Sequence, residues 1–187
     1  MAAIMRTVAA ALALLALAAP ASAAHWTVDA AKSRLGFTVV WTNRPFEAVF
    51  NSWKADIDFD PSDLANSHVV ATVDLSSEAS DSFDNDDGLK GALGFAVDKF
   101  PVARFETTRF ARLADGSYTA EAKLTIRNVT RPATLFFKLI ATGNRARVTG
   151  RAFVDRTAFG VGQGEWAAST PVAHLVTVTL DLAATKN

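Results

Sequence analysis

Apolar and polar residues alternate with a period of two along most of the chain after residue 25. Leu35, Phe37, Val39 and Trp41 alternate with Gly36, Thr38 and Val40, and Val69, Ala71, Val73 and Leu75 with Val70, Thr72 and Asp74. Tyr118, Ala120, Ala122, Leu124 and Ile126 form a third such face, and Val172, His174, Val176, Val178, Leu180 and Leu182 a fourth. Side chains on a strand point to opposite faces in turn, so this pattern predicts half-buried antiparallel strands. Turn residues separate them at Asn43-Arg44-Pro45, Asp60-Pro61-Ser62-Asp63, Asp115-Gly116-Ser117 and Thr142-Gly143-Asn144. A further corner is expected over Asn128 to Pro132, with Pro132 at the start of the next strand.

One segment, Asn85 to Leu93, predicts a helix. Asp84, Asp86 and Asp87 suit a helix start, while Gly88, Gly91 and Gly94 limit it to a turn or two. The pattern predicts a single all-β domain of about eight strands with one short helical insertion. A closed barrel or a sandwich satisfies it. A barrel of that size is either filled by its own side chains or holds one small ligand. Apolar residues on the nominally outer phase (Val40, Val70, Phe136, Leu175) and the run Phe95, Phe100, Phe105, Phe110 supply a large aromatic surface.

The first two dozen residues follow another logic. Arg6 precedes an apolar run from Val8 to Ala19, and Ala21-Ser22-Ala23 fits a small-x-small cleavage site. A dozen apolar residues are too few to span a bilayer. Residues 1–23 are expected to be a removed secretory signal and 24–187 the mature domain, periplasmic or secreted. Charges balance, with 19 Lys and Arg against 19 Asp and Glu, so no overall field attracts nucleic acid. No cysteine is present, which excludes disulfides, a thiol nucleophile and thiolate metal sites.

Candidate chemistry is sparse. His25, His68 and His174 form no HxH or HExxH pattern, so no metal site is expected. Cleavage after Ala24 would place His25 at the mature terminus, where amine and imidazole can chelate copper; cleavage after Ala23 removes that option. Asp84 to Gly88 fails calcium-loop spacing. Asp56 and Asp58 share a strand face, a spacing compatible with acid–base work but commoner on a solvated strand. Arg127, Arg131, Arg145, Arg147, Arg151 and Arg156 are spread among acidic residues and predict cross-strand ion pairs.

Three segments together resemble the YceI-like family of secreted, lipocalin-like proteins. They are FEAVFNSWKADIDFD (Phe46–Asp60), LKGALGFAVDKFPVARF (Leu89–Phe105), and LTIRNVTRPATL (Leu124–Leu135) with Asp155-Arg156 and Phe159-Gly160. The resemblance implies an antiparallel lipocalin-like β-barrel whose pore holds a long polyisoprenoid or similar amphiphile without catalysis or a cofactor. Asn128 stands where the family has glycine, and Gly88–Val97 lacks the family's usual polar and aromatic detail. The segment GVGQGEW (Gly160–Trp166) is similar to members associated with membrane cytochrome b561, which makes an isoprenoid quinone an attractive ligand and that protein a partner. A homodimer is left open.

Strand phase assigns the pore lining to Phe37, Val39, Trp41, Phe50, Trp53, Phe59, Leu124, Ile126, Val176 and Val178, with Leu93 and Phe95 closing one end. Three hypotheses follow. The first is a lipid binder. The second is a docking domain for a membrane redox protein, with an exposed apolar patch at one barrel end. The third is a lipid-modifying enzyme using Asp56, Asp58 or His174, which requires polar groups converging in one pocket.

Overall fold

The computed structural model describes residues 23–187. The leader reading falls almost wholly on residues 1–22, outside the described residues. The sheet contains eleven strand segments that make eight long strands, because three of those strands are broken by short turns. β1 (His25–Val28) and β2 (Arg34–Trp41) are separated by a turn of 3₁₀ helix over Ala30–Lys32. β3 (Arg44–Phe50) bends at Asn51 and Ser52 into β4 (Trp53–Asp58). β5 (His68–Asp74) passes through a second 3₁₀ turn, Leu75–Ser77, into the two-residue β6 (Glu78–Ala79). The unbroken strands are β7 (Val102–Arg112), β8 (Tyr118–Ile126), β9 (Val129–Thr142), β10 (Arg145–Asp155) and β11 (Val172–Lys186).

Each strand pairs antiparallel with its neighbours in sequence. The ring closes where β11 pairs with β2 through Val178–Phe37 and with β1 through Ala184–Val28. β1 also pairs with β4, so no free edge remains around that end. The architecture is a closed, eight-stranded antiparallel barrel.

The corners are tighter than the sequence suggests. β8 and β9 are joined by Arg127 and Asn128 alone, since Ile126 already pairs with Val129. Both turn residues have positive φ (51° and 59°), the left-handed geometry of a two-residue hairpin that asparagine accepts more readily than most residues. The expected corner over Asn128 to Pro132 is therefore corrected: Pro132 sits inside β9, opposite Lys123. It is tolerated there because the β9–β10 ladder begins only at Leu135–Ala152, leaving no neighbour on that side to require an N–H. Likewise Thr42 and Asn43 make the β2–β3 turn, and Pro45 pairs with Val40 in the ladder.

One α-helix is present among the described residues, α1 (Phe83–Lys90), slightly earlier than the expected Asn85–Leu93. The helix stops where Gly91 turns the chain, and Phe95 N–H then caps the Leu89 carbonyl at 2.6 Å. Gly94 packs so closely on Leu89 that any Cβ there would collide with its carbonyl. The helix therefore folds back onto one barrel end.

The opposite end is plugged by aromatic rings. Phe59 meets Phe110, Tyr118 and Phe137 edge-on at centroid distances of 5.1, 5.7 and 5.8 Å. Trp26 closes the seam beside them, its indole N–H donating to the Phe59 carbonyl at 2.9 Å. Edge-to-face pairs of this kind add to the stabilisation from burial alone.

Candidate functional site: two apolar chambers and a capped mouth

Between the plug and α1 the barrel is not filled. An upper chamber of about 250 Å³ lies under α1, and a lower one of about 140 Å³ lies above the aromatic plug. Leu35, Ala71, Phe105, Leu135 and Leu180 border both. Ala71 pairs with Phe105 and Leu35 with Leu180, so these residues form a waist drawn from opposite sides of the barrel.

The strand-phase residues fall on both sides of that waist. Phe37, Val39, Trp41, Phe50, Phe95, Leu124, Ile126, Val176 and Val178 line the upper chamber. Trp53 and Phe59 line the lower one. Leu93 reaches neither: it is 40% exposed and packs beside Gly164, while its carbonyl receives the N–H groups of Gly162 and Gln163. Its place is in the wall of the mouth.

The chamber walls offer almost no polar contact. Apart from tryptophan edges, the polar side chains among the lining residues are Asn85 and Arg156 above and Thr107 below. Thr107 Oγ1 already accepts the Val69 N–H at 2.8 Å. Arg156 is 6% exposed and makes no ion pair among the described residues. Its Nε donates to the Ala173 carbonyl at 2.9 Å, and Nη1 to those of Val161 and Gly162 at 3.0 and 3.1 Å. Nη2 donates to Trp166, Val172 and Ala168 at 2.5, 2.7 and 3.2 Å. Loss of solvent lowers its pKa, and neighbouring Asp155 opposes that change. The planar guanidinium thus ties the 156–173 loop into one piece.

That arrangement corrects the expectation of cross-strand ion pairs for two of the six arginines, and among the described residues Arg131, Arg145 and Arg151 make no ion pair either. Arg156 binds backbone carbonyls, and Arg127 reaches across from the β8–β9 turn to the carbonyls of Ala92 and Gly94. Cross-strand pairing does hold for Arg147 with Asp181, and also for Arg109 with Glu121. The short loop after α1 is therefore held by Arg127 on one side and by Gly162 and Gln163 on the other. Two elements cap the mouth: α1 with its return loop, and the loop organised by Arg156.

The residues considered for catalysis stand elsewhere. Asp56 and Asp58 lie on the outer face with His25, whose Nδ1 is 2.9 Å from Asp58 and 3.6 Å from Asp56. His174 Nε2 lies 3.0 Å from the Ala167 carbonyl. None of these lines a chamber. Sequence reasoning passed over Glu78. It is 1% exposed under α1, and neither of its carboxyl oxygens has a hydrogen-bond partner.

Fold and site together define a closed antiparallel barrel around two apolar chambers. The chain belongs to the YceI-like family, whose domain matches residues 26–184. It is 27% identical over 121 residues to a UPF0312 protein of Vibrio parahaemolyticus and spans 61% of that relative's length. A UPF0312 protein of Yersinia pestis is 34% identical over 95 residues, and there the chain spans 49% of the relative. The structure of BcnA from Burkholderia cenocepacia has a TM-score of 0.82 at 29% identity, over 85% of this chain and 100% of that one. A polyisoprenoid binding domain from Saccharophagus degradans shares the fold, with a TM-score of 0.67 at 14% identity over 88% and 99% of the two chains.

Proposed function

We propose that this protein is a non-enzymatic binder of a long-chain isoprenoid lipid, carried with its chain in the two chambers. One observation carries the reading: two apolar chambers meeting at a waist inside the barrel, where the buried polar groups Arg156 and Thr107 are already hydrogen-bonded to the protein's own backbone. Burying hydrocarbon is worth roughly 0.8 kcal/mol per CH₂, so a few isoprene units in a dry channel bind firmly. Such walls offer a charged or sugar-like ligand nothing to exchange for its lost water. The polyisoprenoid binding described for the Saccharophagus domain supports the same class of ligand.

The leader-like segment from Arg6 to Ala23 supports a periplasmic or secreted setting, in which a water-insoluble chain needs a carrier. An isoprenoid quinone is our preferred ligand, on the similarity of Gly160–Trp166 to members associated with cytochrome b561. That segment forms part of the mouth, where a membrane partner would hand over its ligand. Mass spectrometry of organic extracts from natively purified protein tests the reading. A stoichiometric isoprenoid is expected. Protein that carries no lipid and takes none up from isoprenoid-loaded vesicles would overturn it.

A further inference from the structure

Glu78 occupies an unusual position for a carboxyl group. Its two-residue strand pairs with β3 through Val49–Ala79 and Phe50–Glu78. Directly paired residues share a sheet face, and Phe50 lines the upper chamber, so Glu78 projects into the barrel end. There it is 1% exposed, with α1 packed against its strand. From α1 the groups that bear on it are the Asp86 carboxylate and the Lys90 ammonium. Asp86, 9% exposed, is held by the Ser80 N–H at 3.0 and 3.1 Å and by the Ser80 hydroxyl. The β3 neighbour, Phe50, and the preceding turn residue, Leu75, are apolar. One carboxyl is thus sealed against another with a single cation nearby.

The covering element is short and is held at two points, by Asp86 on Ser80 and by its return loop. α1 has eight residues, no side-chain hydrogen bond from its N-cap Ser82, and glycine at positions 88 and 91. It also forms the chamber wall through Asn85 and Leu89. We propose that Glu78 is a proton-operated latch: neutral, it lets α1 seat over the upper chamber; ionised, it drives α1 away and opens the path into the barrel. The consequence for ligand traffic rests on the binding reading above; the motion itself does not.

The direction follows from linkage. Burial, and then the Asp86 charge, raise the Glu78 pKa from 4.5 to about 7, with Lys90 acting the other way. With α1 displaced, water returns the carboxyl to its ordinary value. The closed form therefore binds the proton more tightly. Opening is favoured progressively as pH rises from 4.5 to 7 and levels off above that. The full range corresponds to a change of at most about 300-fold in the opening equilibrium.

Hydrogen exchange on the lipid-free full chain tests this, with protection at pH 5 and pH 8 corrected for intrinsic exchange rates. Protection of the α1 amides is expected to fall about 10- to 70-fold between the two pH values, while β7 to β10 hold steady. Glu78→Gln is expected to keep α1 protected at both. Asp86→Asn, a second variant, removes one cause of the raised pKa and should move the transition to lower pH. Equal α1 protection at both pH values in the wild-type chain overturns the latch, as does an unchanged fall in Glu78→Gln. Because no lipid is present, either result leaves the binding reading intact, and an empty lipid extract leaves the latch intact.

Discussion

Gly88 of α1 lies against the Trp166 ring, so that a Cβ at that position would stand 2.9 Å from Trp Cη2. The two residues belong to the two elements that cap the mouth, and Trp166 also packs edge-on against Trp41 at a centroid distance of 6.3 Å. The missing side chain on the helix is what lets the indole close the gap. Trp166→Ala is expected to speed ligand exchange at least about tenfold with a stability loss of about 1 kcal/mol or less, since the residue is only half-buried. Gly88→Ala gains helix propensity but must push the indole aside, so stability should change little while exchange quickens. Stopped-flow release of a bound fluorescent isoprenoid, set beside denaturant titration, reads both effects.

Arg156 is expected to be among the costliest surface-type residues to replace. Removing its guanidinium leaves the carbonyls of Val161, Gly162, Trp166, Ala168, Val172 and Ala173 without their donor. Arg156→Ala should lose about 3–5 kcal/mol in urea denaturation, because buried acceptors without donors are costly. Arg156→Lys keeps the charge but not the planar fork, and should recover less than half of that loss.

How far the sequence foretold this arrangement differs from residue to residue. Phe37, Val39, Leu124, Ile126, Val176 and Val178 were readable as interior because a period-two pattern reports which face is dry. The corners were less readable: a proline signals a turn, yet Pro45 and Pro132 sit in ladders where no neighbour needs their N–H. Leu93, expected to close one end, follows the helix, where no periodicity fixes its direction, and it stands in the wall of the mouth without lining a chamber. Arg156 looked like any of six dispersed arginines, since burial of a guanidinium depends on carbonyls gathered by loop geometry. The Asp155-Arg156 and Phe159-Gly160 pairs were the only local hint. Glu78 left no sign at all, because its burial depends on how the chain folds back over it as α1, which no local pattern reports.

The waist offers a test of how far the ligand reaches. Ala71 borders both chambers, and it is the smallest of the five side chains at the waist between them. Ala71→Phe should block the waist at a stability cost of about 1–3 kcal/mol, the usual range for overpacking. A chain that threads both chambers would then lose about 0.8 kcal/mol for every CH₂ expelled from the lower one. Mass spectrometry of the co-purified lipid should show shorter chains or lower occupancy in the variant. An unchanged ligand at unchanged occupancy would confine binding to the upper chamber.

Glu78 also sets a pH dependence of global stability. Its carboxyl is raised to about 7 in the folded chain against 4.5 when solvated, so the folded state holds the proton through a range in which the unfolded chain releases it. Stability is therefore greatest, as far as this group is concerned, below pH 4.5, and declines as pH rises towards 7. The ordinary carboxylates work in the opposite sense at lower pH: Asp60, Asp115 and Asp155, each holding a serine or threonine hydroxyl, have lowered pKa values and stabilise the fold only when ionised. The two trends together predict a stability maximum on the acidic side of neutrality. Glu78→Gln keeps the shape without the charge and should raise stability by roughly 1–3 kcal/mol at pH 8 while changing it little at pH 5. Urea midpoints measured across that range check the sign directly, and a variant less stable than wild type at pH 8 would show that the carboxylate is compensated in the folded chain.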